Sequence, residues 1–317
     1  MKIAILNECF LTAEYSHRLK EIGEVLVFEN TTTEEQAIER LKDIDIAVID
    51  GFLCPITAKI LESTDTLKLI VLPHTGYFMV DLETANKKGI KVANAPGFSK
   101  QAVAELVIGL MFAVNRRIPL MDRHMREQPF ESDPGNADQQ NMYWGFDIKG
   151  RTMGILGLGR IGSTVATLAL GLGMKVIAHN RSEKVMEGVE MVSKEELLKR
   201  SDVVSINVTS GADTKNLISK KELELMKPTA ILINVDQGQQ ADTDALYEAL
   251  QKGQIGGAGL DQVAGLTTDH PILKLDNVVF TPHAGSSTNE SFRVNLPELV
   301  VSAVEAFSQG NPKNLVN

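Results

Sequence analysis

The residues best suited to chemistry run Gly157-Leu158-Gly159-Arg160-Ile161-Gly162. Glycines at this spacing carry weight only in context. Here an apolar run, Thr152 to Leu156, precedes them and an apolar stretch rich in small residues follows. Strand, glycine turn and helix in that order form a dinucleotide-binding fingerprint. Gly157 permits the tight turn, Gly159 lets backbone approach a pyrophosphate, and Gly162 allows close packing of helix on strand. The helix start, with Arg160 and Ile161, faces the phosphates. The competing reading is a glycine-rich turn with no ligand.

The residue ending the next strand sorts NAD from NADP, because an acid there bonds the ribose 2′-hydroxyl. This chain has His179-Asn180-Arg181-Ser182 instead. Asn180 does not repel a 2′-phosphate, Arg181 can grip one as a fork, and Ser182 can donate to it. NADP is preferred and NAD stays open. In the alternative, Arg181 is an ordinary solvated residue.

Elements must hold these groups in place. Lys2 to Leu6, Val25 to Phe28, Ile46 to Ile49, Leu69 to Leu72 and Lys91 to Ala93 read as strands, with helical stretches at Thr33 to Leu41 and Leu82 to Lys88. A second series of strands follows at Thr152 to Leu156, Lys175 to Ala178, Val203 to Asn207, Ala230 to Asn234, Gly257 to Leu260 and Val278 to Phe280. Strands alternating with helices imply doubly wound parallel sheets, here two α/β domains. Gln101 to Asn115 is an unusually apolar helix, suited to burial between two layers or two subunits. Gln128 to Asn141, with Pro129, Pro134 and Gly135, reads as an extended arm or loop. A last helix spans roughly Phe292 to Gln309.

Composition narrows the partners. The chain has 317 residues and a net charge of −9, without a basic stripe to neutralise phosphates, which argues against nucleic acid. No apolar run is long enough for a membrane span, and no signal peptide is read at the N-terminus, so a cytosolic setting is expected. Two cysteines, Cys9 and Cys54, cannot build a disulfide framework or a cysteine-rich zinc site, and no metal is expected.

Over nearly its whole length the chain resembles the D-2-hydroxyacid dehydrogenases (D-isomer-specific 2-hydroxyacid dehydrogenases). The likeness rests on Asn94-Ala95-Pro96-Gly97 followed by Ala102-Val103-Ala104-Glu105, on Gly154 through Gly162, and on Ser201 to Ser205. Ala258-Gly259-Leu260-Asp261, Asp269-His270-Pro271 and Thr281-Pro282-His283 complete it. The resemblance implies a Rossmann NAD(P)-binding domain, residues 99–287, inserted in a flavodoxin-like substrate domain formed by 1–98 and 288–317. It implies a homodimer built around residues 101–148, and reduction of a small-molecule 2-keto acid by a histidine acid/base, a glutamate that orients it and an arginine that grips the substrate.

Carried over residue by residue, the likeness gives a mixed site. His283 matches the catalytic histidine and can protonate a developing alkoxide; alternatively it is a structural histidine at a strand end. Asp261 matches the aspartate that contacts the nicotinamide carboxamide. Thr209, in Asn207-Val208-Thr209, falls near the adenosine, and Val235 joins the cofactor set. Gln237, in Asn234-Val235-Asp236-Gln237-Gly238, takes the arginine's place without its charge or its fork. Asp236 would repel a carboxylate if it faced the pocket. The run after Asp261 shows no acid where the family has glutamate, so the protonated form of His283 is less favoured. The substrate loop reads Pro73-His74-Thr75-Gly76. His74, Thr75 and Gly76 are candidate substrate ligands, with His74 a second acid/base or merely a packing residue.

Losing one preorganised contact to a transition state costs on the order of 10² to 10³ in rate. Three readings follow. The preferred one is a dehydrogenase whose substrate is 2-keto-acid-like or less anionic. The others are a catalytically impaired NAD(P)H-binding sensor or regulator, and a lyase or epimerase that retains its dinucleotide.

Overall fold

A computed structural model describes residues 1–7, 11–127, 143–236, 239–263 and 265–317. The expected arm at 128–141 and the residues Cys9, Gln237 and Gly238 lie outside the described residues. The chain divides into two compact units, residues 1–99 with 287–317 and residues 100–286.

The first unit carries β1 (Lys2–Leu6), α1 (Ala13–Ile22), β2 (Glu24–Phe28), α2 (Glu34–Arg40), β3 (Ile46–Ile49), α3 (Ala58–Glu62), β4 (Leu69–Val71), α4 (Leu82–Lys87) and β5 (Lys91–Ala93). Its sheet is parallel in the order β2-β1-β3-β4-β5, the flavodoxin-like arrangement. The strands are apolar throughout because both faces are covered. Ala4, Leu6, Ala47, Ile49 and Ile70 pack on Ala37, Ile60, Leu61 and Ala85 of the helices. Ile3, Ile5, Ile46, Val48, Leu69 and Val71 point the other way, onto Leu296, Val300, Val301 and Val304 of the C-terminal helix. Each such side chain contributes about 1.5–3 kcal/mol on burial. Helix starts are set locally: Thr33 and Gln36 form a reciprocal capping box, and Thr57 and Asp81 cap the next two helices.

The second unit carries α5 (Lys100–Asn115), α6 (Ile118–Glu127), β6 (Thr152–Leu156), α7 (Arg160–Gly171), β7 (Lys175–His179), β8 (Val189–Met191), α8 (Lys194–Arg200), β9 (Val203–Ile206), α9 (Lys220–Leu223), β10 (Ile231–Asn234), α10 (Thr243–Gln251), β11 (Gly257–Asp261) and β12 (Val278–Thr281). All its strand pairs are parallel, in the order β12-β11-β10-β9-β6-β7-β8. From β6 outward this is the Rossmann order with an added edge strand. On one face, Met153 and Ile155 of β6 pack with Val103, Val107, Leu110 and Met111 of α5 and Val165 and Ala166 of α7. That burial accounts for the apolar sequence of α5.

The structure adds three details. Residues 118–127 form a helix, α6, ahead of the expected arm; its IPLMDRHMRE sequence joins a few apolar anchors to charged residues. The edge strand β8, VEM, was not foreseen, because only its backbone and not an apolar pattern commits it to the sheet. The last helix is in two parts, a π-helical turn (Ser291–Asn295) and then α11 (Leu296–Ser308), with Pro297 in the first turn of α11. No described helix is long and apolar enough to cross a membrane.

Candidate active site

In the second unit the strands run parallel, so their carboxyl ends lie along one edge. The order reverses between β6 and β9, and such a switch point is where open α/β sheets bind ligands. Gly157 sits there with φ +94°, and a Cβ on it would stand 2.6 Å from the carbonyl oxygen of Asn207, at the end of β9. A Cβ on Gly162 would stand 2.0 Å from the oxygen of Gly157, so glycine lets the helix close on the turn. Gly159 differs. It is the N-cap of α7, no side chain caps the helix, and a Cβ there would meet nothing within 4 Å. The amides at the head of a twelve-residue helix are thus without a side-chain cap beside open space, and they fit a pyrophosphate.

Asn180, just past β7, does more than avoid a charge. Its Oδ1 accepts the amide of Leu158 at 3.1 Å, and its Nδ2 donates to the carbonyl of Ser182 at 2.8 Å and its hydroxyl at 3.0 Å. The side chain ties the strand end to the glycine turn. Arg181 is solvated, its side chain 91% exposed, with Nη1 3.6 Å from Asp213. Thr209 is exposed and its carbonyl accepts the Thr214 hydroxyl at 2.8 Å, while Val235 is buried just past β10. Asp236 accepts from Ser210 at 2.9 Å and from Gln240 at 2.5 Å, which turns its carboxylate onto neighbouring loop residues.

His283 follows β12, is exposed, and holds the left-handed conformation, φ +56°. No described acid of its own unit lies within ion-pair distance of it. Asp261, at the end of β11, has no exposed surface. Its Oδ1 accepts the Thr281 hydroxyl at 2.6 Å and the Ala284 amide at 2.7 Å, and its Oδ2 accepts the Gly285 amide at 2.7 Å. These partners, rather than a group outside the fold, take up its carboxylate. The Thr281 hydroxyl and the two amides carried no signal in the sequence, since their role depends on the β11–β12 register.

In the first unit, His74 follows β4 and is buried. Its Nδ1 lies 2.6 Å from the Gly76 carbonyl, which can only accept, so the proton sits on Nδ1. Nε2 accepts the amide of Gly51, past β3, at 3.3 Å. Burial pushes the imidazole below its ordinary range. The Gly76 carbonyl and the Asp50 carboxylate, 3.7 Å away, oppose this without prevailing. His74 is therefore a neutral brace between the β3 and β4 loops. Thr75 donates to the Ala95 carbonyl at 3.2 Å, and its own carbonyl accepts from Asn94 at 2.7 Å. These two bonds tie the loop to the chain after β5, with Thr75 exposed.

The model of the family described as D-isomer specific 2-hydroxyacid dehydrogenase, NAD binding domain, matches residues 108–285. The chain belongs to the D-isomer-specific 2-hydroxyacid dehydrogenase family. It is 39% identical over 296 residues to a glyoxylate reductase of Korarchaeum cryptofilum, covering 91% of this chain and 87% of that one. Among solved structures, an acyclic imino acid reductase in complex with NADPH and D-Arg matches all of both chains at TM-score 0.86 and 34% identity. A family member from Lactobacillus delbrueckii ssp. bulgaricus in its NAD-complexed form matches all of both chains at TM-score 0.84 and 25% identity. Membership in this dehydrogenase family makes the second unit its NAD-binding domain. The relatives include complexes with both dinucleotides, so the family supports NAD(P) without choosing between them.

Proposed function

We propose that the protein is an NAD(P)-dependent reductase of a small 2-oxo acid or its imine, with His283 as the proton donor. The observation that carries this reading is the pairing, along one sheet edge of the second unit, of an open glycine turn after β6 with an exposed histidine after β12. The amides heading α7 would hold the pyrophosphate, Gly159 giving them room. A bound reduced nicotinamide supplies hydride to the acceptor carbon. His283 gives a proton to the oxygen or nitrogen that gains electron density there. Asp261 is not assigned to the carboxamide, because its side chain is fully buried and three of its acceptor sites are taken within the fold.

NADP is the preferred dinucleotide in this reading, with Arg181 released from Asp213 to grip the 2′-phosphate. Within the first unit, Thr75 and the backbone at Gly76 are the candidate ligands of a carboxylate, and His74 shapes their loop without moving protons. Gln237 takes the place of arginine, which suits an acceptor less anionic than a simple 2-keto acid. The imino acid reductase among the structural relatives makes an imine a concrete candidate. We also read residues 101–148 as the self-association element of a homodimer.

A second reading, a binding protein without turnover, is favoured by the lack, among the described residues of the second unit, of an acid within ion-pair distance of His283. One assay separates them. Glyoxylate and a panel of 2-oxo acids, each with and without ammonium, are offered with NADPH or NADH while the reduced nicotinamide is followed. Turnover lost in His283→Ala, with dinucleotide affinity kept, supports the reductase. Tight NADPH binding without turnover overturns it in favour of the binding protein. Product formed with no net change in reduced nicotinamide would mean a lyase or epimerase.

A further inference from the structure

Asp261 and His283 are neighbours through backbone rather than through their side chains. In the β11–β12 ladder Asp261 stands opposite Thr281. Beyond Thr281 the chain turns sharply: the His283 amide bonds back to the Thr281 carbonyl at 3.1 Å, and His283 takes φ +56°. A left-handed backbone at a residue other than glycine or asparagine is uncommon and persists only where the surroundings impose it. The surroundings here are one carboxylate. Oδ1 holds the Thr281 hydroxyl on the near side of His283 and the Ala284 amide on the far side, while Oδ2 holds the Gly285 amide. Charge-assisted bonds of this length are among the stronger ones, roughly twice a neutral pair. Gly285 belongs to the same device, since a Cβ on it would stand 2.9 Å from Oδ2.

We propose that Asp261 is a positioning residue for His283: its buried carboxylate clamps residues 281, 284 and 285 and so sets the aim of the imidazole between them. The inference rests on the reading of His283 as the proton donor. Asparagine at 261 keeps one acceptor oxygen but turns an NH2 group toward a backbone N–H, so the clamp opens at one end. A displacement of about 1 Å at a reacting group is enough to lose on the order of 10²-fold in rate.

The test uses the full chain, with Asp261→Asn, Thr281→Val and Gly285→Ala made in wild-type and His283→Ala backgrounds. Thr281→Val and Gly285→Ala keep the carboxylate and cover the case in which Asp261→Asn folds poorly. With glyoxylate and NADPH or NADH, kcat falls on the order of 10²-fold in Asp261→Asn and less in Thr281→Val. The reduced-dinucleotide Kd stays within about threefold, and the added loss disappears when His283 is already alanine. A rise in Kd that matches the fall in kcat, or an equal loss in the His283→Ala background, overturns the proposal. Amide hydrogen exchange on the protein without substrate keeps the two readings apart. Exchange at residues 283–285 speeds up in Asp261→Asn while β6 and β9 stay protected, whether or not any substrate turns over. Unchanged exchange at 283–285 overturns the clamp. Wild-type turnover in His283→Ala with faster exchange overturns only the assignment of His283.

Discussion

Asn180 Oδ1 accepts the amide of Leu158 at 3.1 Å, joining the end of β7 to the glycine turn that follows β6. The residue expected to sort the two dinucleotides is also a strut of the turn that would hold them. Asn180→Asp keeps the acceptor for Leu158, loses the donors to Ser182 and adds a charge. We expect NADPH to weaken relative to NADH by on the order of tenfold, about 1.4 kcal/mol. Arg181→Ala should weaken NADPH by a similar factor and leave NADH alone. Fluorescence titration of both variants decides it, and equal effects on the two dinucleotides would return Arg181 to the solvated surface.

The fingerprint glycines should not fail alike. Gly162→Ala drives a Cβ into the Gly157 oxygen and should cost at least about 2–3 kcal/mol. Gly159→Ala meets open space, so its Tm should stay within a degree or two of wild type, a negligible shift on the scale of ~2–4 °C per kcal/mol. Dinucleotide binding should nevertheless fall sharply, because the new methyl group occupies the approach to the helix amides. Thermal melts with and without NADPH distinguish the two.

His74 makes stability depend on pH in a definite direction. The folded imidazole is held neutral, below its ordinary range, so the unfolded chain takes up its proton first. The stability tied to His74 is complete above about pH 6.5 and is lost as pH falls through that value toward the lowered one. The slope from this one group is at most about 1.4 kcal/mol per pH unit. Urea melts from about pH 8 to about pH 5 should show it, and His74→Asn should flatten that part of the curve. An identical slope in the variant would mean other groups set the acid limit.

Arg18 of α1 holds Glu305 through Nε at 2.8 Å and Nη2 at 2.8 Å, and Glu298 through Nη1 at 2.7 Å. Its side chain is about a quarter exposed, so these bonds are only partly screened. Arg18→Met should lower stability by on the order of 1–3 kcal/mol. Glu305→Gln should lower it by less. A double-mutant cycle in urea measures the coupling, and a value near zero would reduce the cluster to surface decoration.

The sequence was most informative where physics is local or repetitive. Buried parallel strands such as Ile46–Ile49 read as unbroken apolar runs because both faces are covered. The glycine turn declared itself because separate steric needs fall on Gly157 and Gly162, with the helix cap Gly159 between them. Val189–Met191 stayed hidden because an edge strand of three residues needs no apolar pattern. The state of His74 was also hidden, since its protons depend on the carbonyl of Gly76 and the amide of Gly51, two backbone groups that every residue but proline possesses. Asp261 stood out in the sequence at a strand end, but its partners did not, because only the pairing of β11 with β12 supplies them.

The helix Leu296–Ser308 covers a sheet whose last strand ends at Ala93. During synthesis, α1 alone shields that side of the sheet, which stays partly uncovered while the whole of residues 100–286 emerges and can fold. The early strands are thus exposed to the ribosome's surroundings for most of translation. Chaperone dependence should concentrate in nascent chains stalled before Leu296 and fall away once that helix has cleared the exit tunnel.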